Sequence, residues 1–408
     1  MMHARAGWAA IAAAAVLLAA CGGSDDPVAP PVGAVPPPVA VATRAEVLAT
    51  TTAGMGGIAF SEGYAYVSVA NSASAGTGVF QARLPLKADS SWTGTLLGDC
   101  GIDAEHDGFP LRTPGLRKFD SGLWLFQSWA DKGPDARIEH SLCALKADRS
   151  GFEARDKALE VCLSGSCYKL SPSELKQVGQ RLYTNAGGGK NVFVSTDQGA
   201  SWKVLTGQFD SMSCYDAAFE IVGDRLLVGG ECPLDSAYLE AYQLNADGTA
   251  LVSPEPLPIK LPELENRNLQ FITTLGKRVF AGVEGGLLRS DDGGRSFQFV
   301  IHQPLEEAAT KFYIQHVMAL DGKPDSILAA GFDKSTLKPY LAWSVDGGGK
   351  WTEISSALPG WARNLDAPFP AEITAMTQDP QGRILLTVNE QQGQQGRVVL
   401  LTLGTPPQ

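Results

Sequence analysis

Ser344-Val345-Asp346-Gly347-Gly348-Gly349-Lys350-Trp351 has two companions upstream: Ser195-Thr196-Asp197-Gln198-Gly199-Ala200-Ser201-Trp202 and Ser290-Asp291-Asp292-Gly293-Gly294-Arg295-Ser296-Phe297. Each copy reads Ser, any residue, Asp, any residue, Gly, two variable residues, then an aromatic. A short apolar run precedes each copy (191–194, 286–289, 340–343) and another follows (202–205, 297–301, 351–354). The flanks describe two strands and the octapeptide their turn. An Asp carboxylate accepts hydrogen bonds from N–H groups of its own turn. Gly takes backbone angles that other residues resist, and the aromatic starts the outgoing strand and fills the gap between neighbouring sheets.

Fainter versions occupy the intervals. Leu86-Lys87-Ala88-Asp89, Leu145-Lys146-Ala147-Asp148 and Leu244-Asn245-Ala246-Asp247 each follow a strand and precede Ser, Gly or Thr. The turn aspartates 89, 148, 197, 247, 292 and 346 then recur at a step of about 50 residues, the length of a four-stranded blade. Seven strands precede the turns, at 64–70, 123–127, 181–185, 225–229, 278–283, 326–330 and 383–389, and are read as the inner strands. The expected fold is therefore all-β, a β-propeller of about seven four-stranded blades, with six blades as the alternative count. The last blade has 398–403 as its third strand and then the chain ends. Residues 46–51 are expected to supply the fourth and close the ring, which removes sheet edges. Helix is expected only at 171–177, where Ser171, Pro172 and Glu174 fit a helix start, and at 306–311.

The octapeptide resembles the Asp-box, or BNR, repeat of sialidase-like and photosystem II assembly-factor-like propellers. The resemblance covers most of residues 56–403. It implies that Ser195, Asp197, Gly199, Trp202, Ser290, Asp292, Gly294, Phe297, Ser344, Asp346, Gly348 and Trp351 are structural. Phe297 replaces the usual Trp, and Lys350 the usual Ser or Thr, which puts one hydrogen bond of the third copy in doubt.

The first twenty residues have the layout of a secretory signal: a basic start at His3–Arg5, an apolar stretch from Trp8 to Ala20, then Leu18-Ala19-Ala20-Cys21. That ending resembles the bacterial lipobox, which implies acylation of Cys21. Residues 21–44, with Pro27, Pro30, Pro31, Pro36, Pro37 and Pro38, read as an extended tether of roughly 60 Å. The propeller would occupy 45–408. The expected address is the cell envelope, lipid-anchored, with the outer membrane as the membrane concerned.

Six Cys remain after Cys21, and an even number in an exported chain implies disulfides. Cys162 and Cys167, four residues apart in between, are expected to pair; Cys214–Cys232 and Cys100–Cys143 are the further candidate pairs among 15 connectivities. Zinc is not expected, because no His lies at ligand spacing near these Cys. No cofactor motif is present. The net charge of −11 repels phosphates and argues against nucleic acid as a partner.

Long irregular segments at 98–116, 129–138, 231–237, 355–372 and 389–396 fall on the face opposite the turns. They serve either as a ligand face or as a cap over the channel. The candidate ligand residues there are His106, Asp107, Trp129, Trp361, Arg363 and Asp366. A sialidase would need three arginines, a Tyr–Glu pair and an acid/base Asp. The family's opening Arg motif has only a partial echo in Ala82-Arg83-Leu84-Pro85, and no G-x-S-x-G is present. His106, His140, His302 and His316 are read as structural. The leading expectation is a non-catalytic envelope module that binds a glycan, peptide or protein, and the alternative is a sialidase-like glycoside hydrolase.

Overall fold

The computed structural model describes residues 42–405 except 53, 71–77, 96–99, 101–114, 127–141, 164–165, 170–171, 187–190, 207–214, 233–235, 265–266, 304–311, 360–370 and 391–394. Among the described residues, seven antiparallel sheets follow one another along the chain. Their first strands are Gly54–Ser61, Gly115–Phe119, Pro172–Val178, Tyr215–Val222, Leu269–Leu275, Phe312–Leu320 and Glu372–Gln378. Each packs against the first strand of the next sheet, and the seventh packs against the first, so the sheets close a ring about an axis. The fold is a seven-bladed propeller, and the six-bladed count is excluded.

The ring closes as the sequence suggests. Arg44–Thr51 pairs antiparallel with Gln395–Thr402 as the outer strand of blade 7, with Val47 opposite Val399. A second seam lies at the axis. Asn389 Oδ1 accepts from Met55 N at 2.5 Å, and Thr387 Oγ1 donates to Gly56 O at 2.7 Å. Thr374 Oγ1 donates to Met55 O at 2.8 Å. Chain ends more than 300 residues apart are thus stitched at both the rim and the axis.

The strands read from sequence as innermost (Tyr64–Ala70 and its six counterparts) lie one place further out, as the second strand of each blade. The reason is burial. Seven apolar clusters fill the seven junctions between blades, and second strands contribute to the clusters on both sides. In Arg278–Val283, Val279, Ala281 and Val283 face blade 4 while Phe280 faces blade 6. A strand buried on both faces reads as a continuous apolar run, and each fully buried Val or Phe contributes about 1.5–3 kcal/mol. First strands also bury residues on both faces, as where Ile272 packs toward blade 4 and Phe271 toward blade 6, but six of the seven carry a register shift, which hides their alternation.

The helix expected at 171–177 is a strand, Pro172–Val178. Its partner Arg181–Ala186 follows across a two-residue turn with Gly179 at φ 60, and Leu175 is fully buried while its neighbours Glu174 and Lys176, on the other face, are partly buried. Alternation over the hairpin overrides a local cap signal. The helix expected at 306–311 lies outside the described residues. Two expected loops are shorter than read. Arg225–Cys232 and Ser236–Gln243 take up most of 231–237, and Ile384–Glu390 and Gln395–Thr402 half of 389–396. A further hairpin, Glu160–Leu163 with Ser166–Lys169, sits between blades 2 and 3 and sets Cys162 opposite Cys167 in register. Cys100 and Cys143 form a disulfide, with their Cα atoms 6.3 Å apart. Cys214 lies outside the described residues, and Cys232 ends a strand.

The three Ser-x-Asp-x-Gly turns join third to fourth strands. In the first, Ser195 Oγ donates to Asp197 Oδ1 (2.8 Å) and accepts from Gly199 N (2.7 Å). Asp197 accepts from Ser201 N (2.9 Å) and Ser201 Oγ (2.5 Å). Ser290, Asp292 and Ser296 repeat these bonds. Each turn rests on the second strand of the preceding blade. Gly199, Gly294 and Gly348 have φ of 79, 78 and 85, and a Cβ there would fall 2.5, 2.7 and 2.8 Å from Trp124, Leu227 and Phe280. The glycine is therefore demanded twice, by backbone angle and by close approach. The fainter turns lock in the same direction. Arg149 donates to Tyr66 Oη at 3.1 Å, Tyr183 Oη to Gly248 O at 3.0 Å, and Arg383 of blade 7 to Leu86 O of blade 1 at 2.9 Å. Asp148 and Asp247 accept from Ser150 and Thr249, whereas in blade 1 Ser90 Oγ rather than Asp89 accepts the turn N–H, from Lys87.

Candidate functional site: the charged axis of the ring

Because every blade presents its first strand to the axis, residues distant in sequence converge there. Glu174 and Lys176 alternate on the first strand of blade 3. Lys176 Nζ lies 3.2 Å from Glu174 Oε1 and 2.9 Å from Glu220 Oε2 on blade 4. It also donates to Ile272 O on blade 5 at 2.7 Å. Glu220 is saturated: Oε2 accepts from Thr274 N and Oε1 from Ile221 N, both at 2.9 Å. One ammonium thus ties three consecutive blades together. The side chains are nearly buried, with Lys176 12% and Glu220 10% exposed.

Arg117 of blade 2 and His316 of blade 6 complete the set. Burial lowers the Arg117 pKa, opposed by Glu174. His316 is lowered to about 4, by burial first and then by Arg117, so it is neutral at neutral pH. Burial raises Glu174, against the attraction of Lys176 and Arg117. Lys176 is raised because Glu174 and Glu220 outweigh the opposing effect of burial, its largest single influence. Two carboxyl groups, one ammonium and one guanidinium therefore share the axis, one acid to each base. A buried pair is held only while each partner is present.

At the opposite end from the turns, Arg267 is fully buried. It donates to Glu284 O (2.8 Å) and Gln303 O (2.6 Å), and lies 3.2 Å from His302 Nε2. This clamp fixes the entry into blade 5. In blade 7 the buried Glu390 pairs with Arg397 at 3.1 Å. Arg83 ends the third strand of blade 1 and is exposed at the turn end, away from the axis. Of the four histidines, His302 and His316 are placed as above; His106 and His140 lie outside the described residues. So do Cys21, Asp107, Trp129, Trp361, Arg363 and Asp366. Among the described residues no group of three or more His, Cys, Asp or Glu is placed to hold a metal ion.

The axis cluster was missed from sequence because 171–177 was taken as helix. The available signal was the i, i+2 alternation Glu174-Leu175-Lys176.

No protein-family model matches the chain, and no curated protein matches it by sequence. Several solved structures share its fold. YCF48 bound to D1 peptide superposes with a TM-score of 0.51 at 14% identity, covering 88% of this chain and 95% of that one. YCF48 from Cyanidioschyzon merolae gives 0.53 at 12%, covering 88% and 99%. The N-terminal domain of Nup159 gives 0.50 at 12%, covering 88% and 96%. At these identities the likeness establishes the propeller fold and carries no activity with it.

Proposed function

We propose that this chain is a non-catalytic recognition module of the cell envelope, anchored through an acylated Cys21 and a Pro-rich tether, whose ring binds a peptide or protein partner. The observation that carries this reading is the interlocked charge cluster at the axis. Glycoside cleavage needs one carboxyl free to protonate the leaving group and another free to attack or to activate water. Here Glu174 and Glu220 converge on Lys176 Nζ, and Glu220 has both oxygens engaged by backbone N–H groups. Among the described residues, the ionisable groups at the centre hold the blades together. The loops at the end opposite the turns are then the binding face, and the propeller of YCF48, seen with a D1 peptide, supports a peptide as the class of partner.

The test is a screen of the full chain in detergent against a peptide library, beside a panel of chromogenic glycosides. Saturable peptide binding without turnover is expected. Turnover of any glycoside overturns the reading. The anchor is tested separately: Cys21→Ser should move the protein from the outer-membrane to the soluble fraction, and retention in the membrane refutes acylation.

A further inference from the structure

The third turn departs from the other two in two ways, and both departures face the same cavity. Where Ser201 and Ser296 donate a hydroxyl to Asp197 and Asp292 at 2.5 and 2.6 Å, Lys350 offers Asp346 only its backbone N, at 2.9 Å. The turn gives up a hydrogen bond and gains an exposed ammonium. Trp202 and Phe297 are each 6% exposed and plug the junction with the preceding blade; Trp202 Nε1 donates across it to Arg155 O at 2.7 Å. Trp351 instead turns its Nε1 back onto Gly348 O of its own turn at 3.2 Å and keeps part of its ring accessible.

Lys350 and Trp351 line a cleft of about 660 Å³ between blades 5 and 6, open to solvent on one side. Val300 and Ile301 of the outer strand Gln298–His302 form its apolar wall. Gln303, Asp333, Tyr340 and Glu353 supply polar groups. Asp333 Oδ1 is held by Ser335 N, Ser335 Oγ and Thr336 N, which fixes the carboxylate. The Gln303 backbone is held on both sides, by Gly285 O and by Arg267. Its Oε1 is buried with no hydrogen-bond partner among the described residues, an arrangement that costs stability unless something donates to it. Burial raises the Tyr340 pKa, with Glu353 and Asp333 adding to it, so the phenol stays protonated.

The volume is that of a small-ligand site. The lining combines an accessible aromatic face, an ammonium, two carboxylates and an unpartnered amide oxygen. Charges of both signs beside an aromatic suit a neutral molecule with an apolar face and many hydroxyls, each of which donates and accepts. We propose that this cleft is an oligosaccharide-binding site in which a sugar ring stacks on Trp351 and its hydroxyls bond to Lys350, Glu353 and Asp333. It is separate from the loop face proposed above and does not depend on it.

The experiment is calorimetric titration of the full chain with cello-, xylo-, malto- and chito-oligosaccharides, with a thermal melt of every variant. One of these series should bind. Lys350→Ser restores the hydroxyl of the other two turns, so it should raise the melting temperature while weakening the sugar about tenfold, the value of one charged hydrogen bond. Glu353→Gln should weaken binding by about the same factor with the melting temperature unchanged. Trp351→Phe keeps the aromatic that the second turn already uses as Phe297, so it should fold and bind more weakly. Absence of binding across the panel overturns the proposal. Equal affinity in all three variants also overturns it, because the sugar then binds elsewhere. A poly-arginine peptide that binds where the sugars fail, and is weakened by Glu353→Gln, replaces the saccharide with a cationic segment.

Discussion

Replacing Lys176 by Met keeps the volume of the side chain and removes the one cation that joins blades 3, 4 and 5. Glu174 and Glu220 are then left facing each other without the Nζ that lies 3.2 and 2.9 Å away, and Ile272 O loses its donor. Removing one partner of a buried ion pair costs about 3–5 kcal/mol. For a folded body spanning residues 42–405 that corresponds to a fall in melting temperature of about 4–6 °C. The deficit should depend on pH. Glu174 is already raised by burial and loses the opposing pull of Lys176, so its folded-state pKa stands further above its unfolded value and stability is lost as pH rises through that range. The melting temperature should therefore drop more at pH 8 than at pH 5, read by circular dichroism. The triple variant Lys176→Met/Glu174→Gln/Glu220→Gln, which removes the uncompensated charge, should recover most of the loss. A deficit below about 1 kcal/mol, or one independent of pH, would refute the view that this cluster locks the axis.

Three further outcomes are expected. Gly294→Ala adds a Cβ 2.7 Å from Leu227 at φ 78 and should cost about 1–3 kcal/mol, whereas Gly276→Ala, at φ 63 with nothing within 4 Å, should cost the backbone strain alone; equal losses in urea unfolding would contradict the packing role. Cys143→Ser opens a disulfide whose partners are 43 residues apart, worth about 4 kcal/mol in chain-entropy terms, and should lower the urea midpoint accordingly; an unchanged midpoint would count against the bridge. In acid, stability should fall in two stages. Neutral His316 supports the fold fully above about 6.5 and loses that contribution as pH falls toward about 4. Asp292 follows between about 4 and about 2; against the upward push of partial burial, hydrogen bonds from Ser296, Ser290 and Arg295 hold it down. His316→Gln should flatten the first stage only, and Asp292→Ala the second.

Much of the fold was legible because propeller turns are made of local chemistry. The bonds between Ser195, Asp197, Gly199 and Ser201 span at most four residues, so their residue types recur wherever the turn does. Recurrence then set the blade count. The closing strand was legible for a similar reason: a last blade with three strands leaves an edge that the start of the folded region can fill. What the glycines also do, resting on Trp124, Leu227 and Phe280 of the preceding blade, is not visible in the octapeptide.

Two misreadings share one cause. The second strands were taken as innermost because burial on both faces gives them unbroken apolar runs, while six of the seven true inner strands carry register shifts that interrupt theirs. The strand Pro172–Val178 was taken as helix because a cap-like Ser171-Pro172-x-Glu174 is a local signal, and a hairpin partner is not.

The sequence alone determined the propeller class, the turns and the seam between first and last strands, since each is written in residues that are neighbours or repeat at a fixed step. Only the tertiary structure decided which groups meet. Arg117, Glu174, Lys176, Glu220 and His316 come from four different strands, and Gln303, Asp333 and Trp351 share a cleft only because blades 5 and 6 pack side by side. The packing of blade on blade brings these groups together, and no spacing along the chain encodes it.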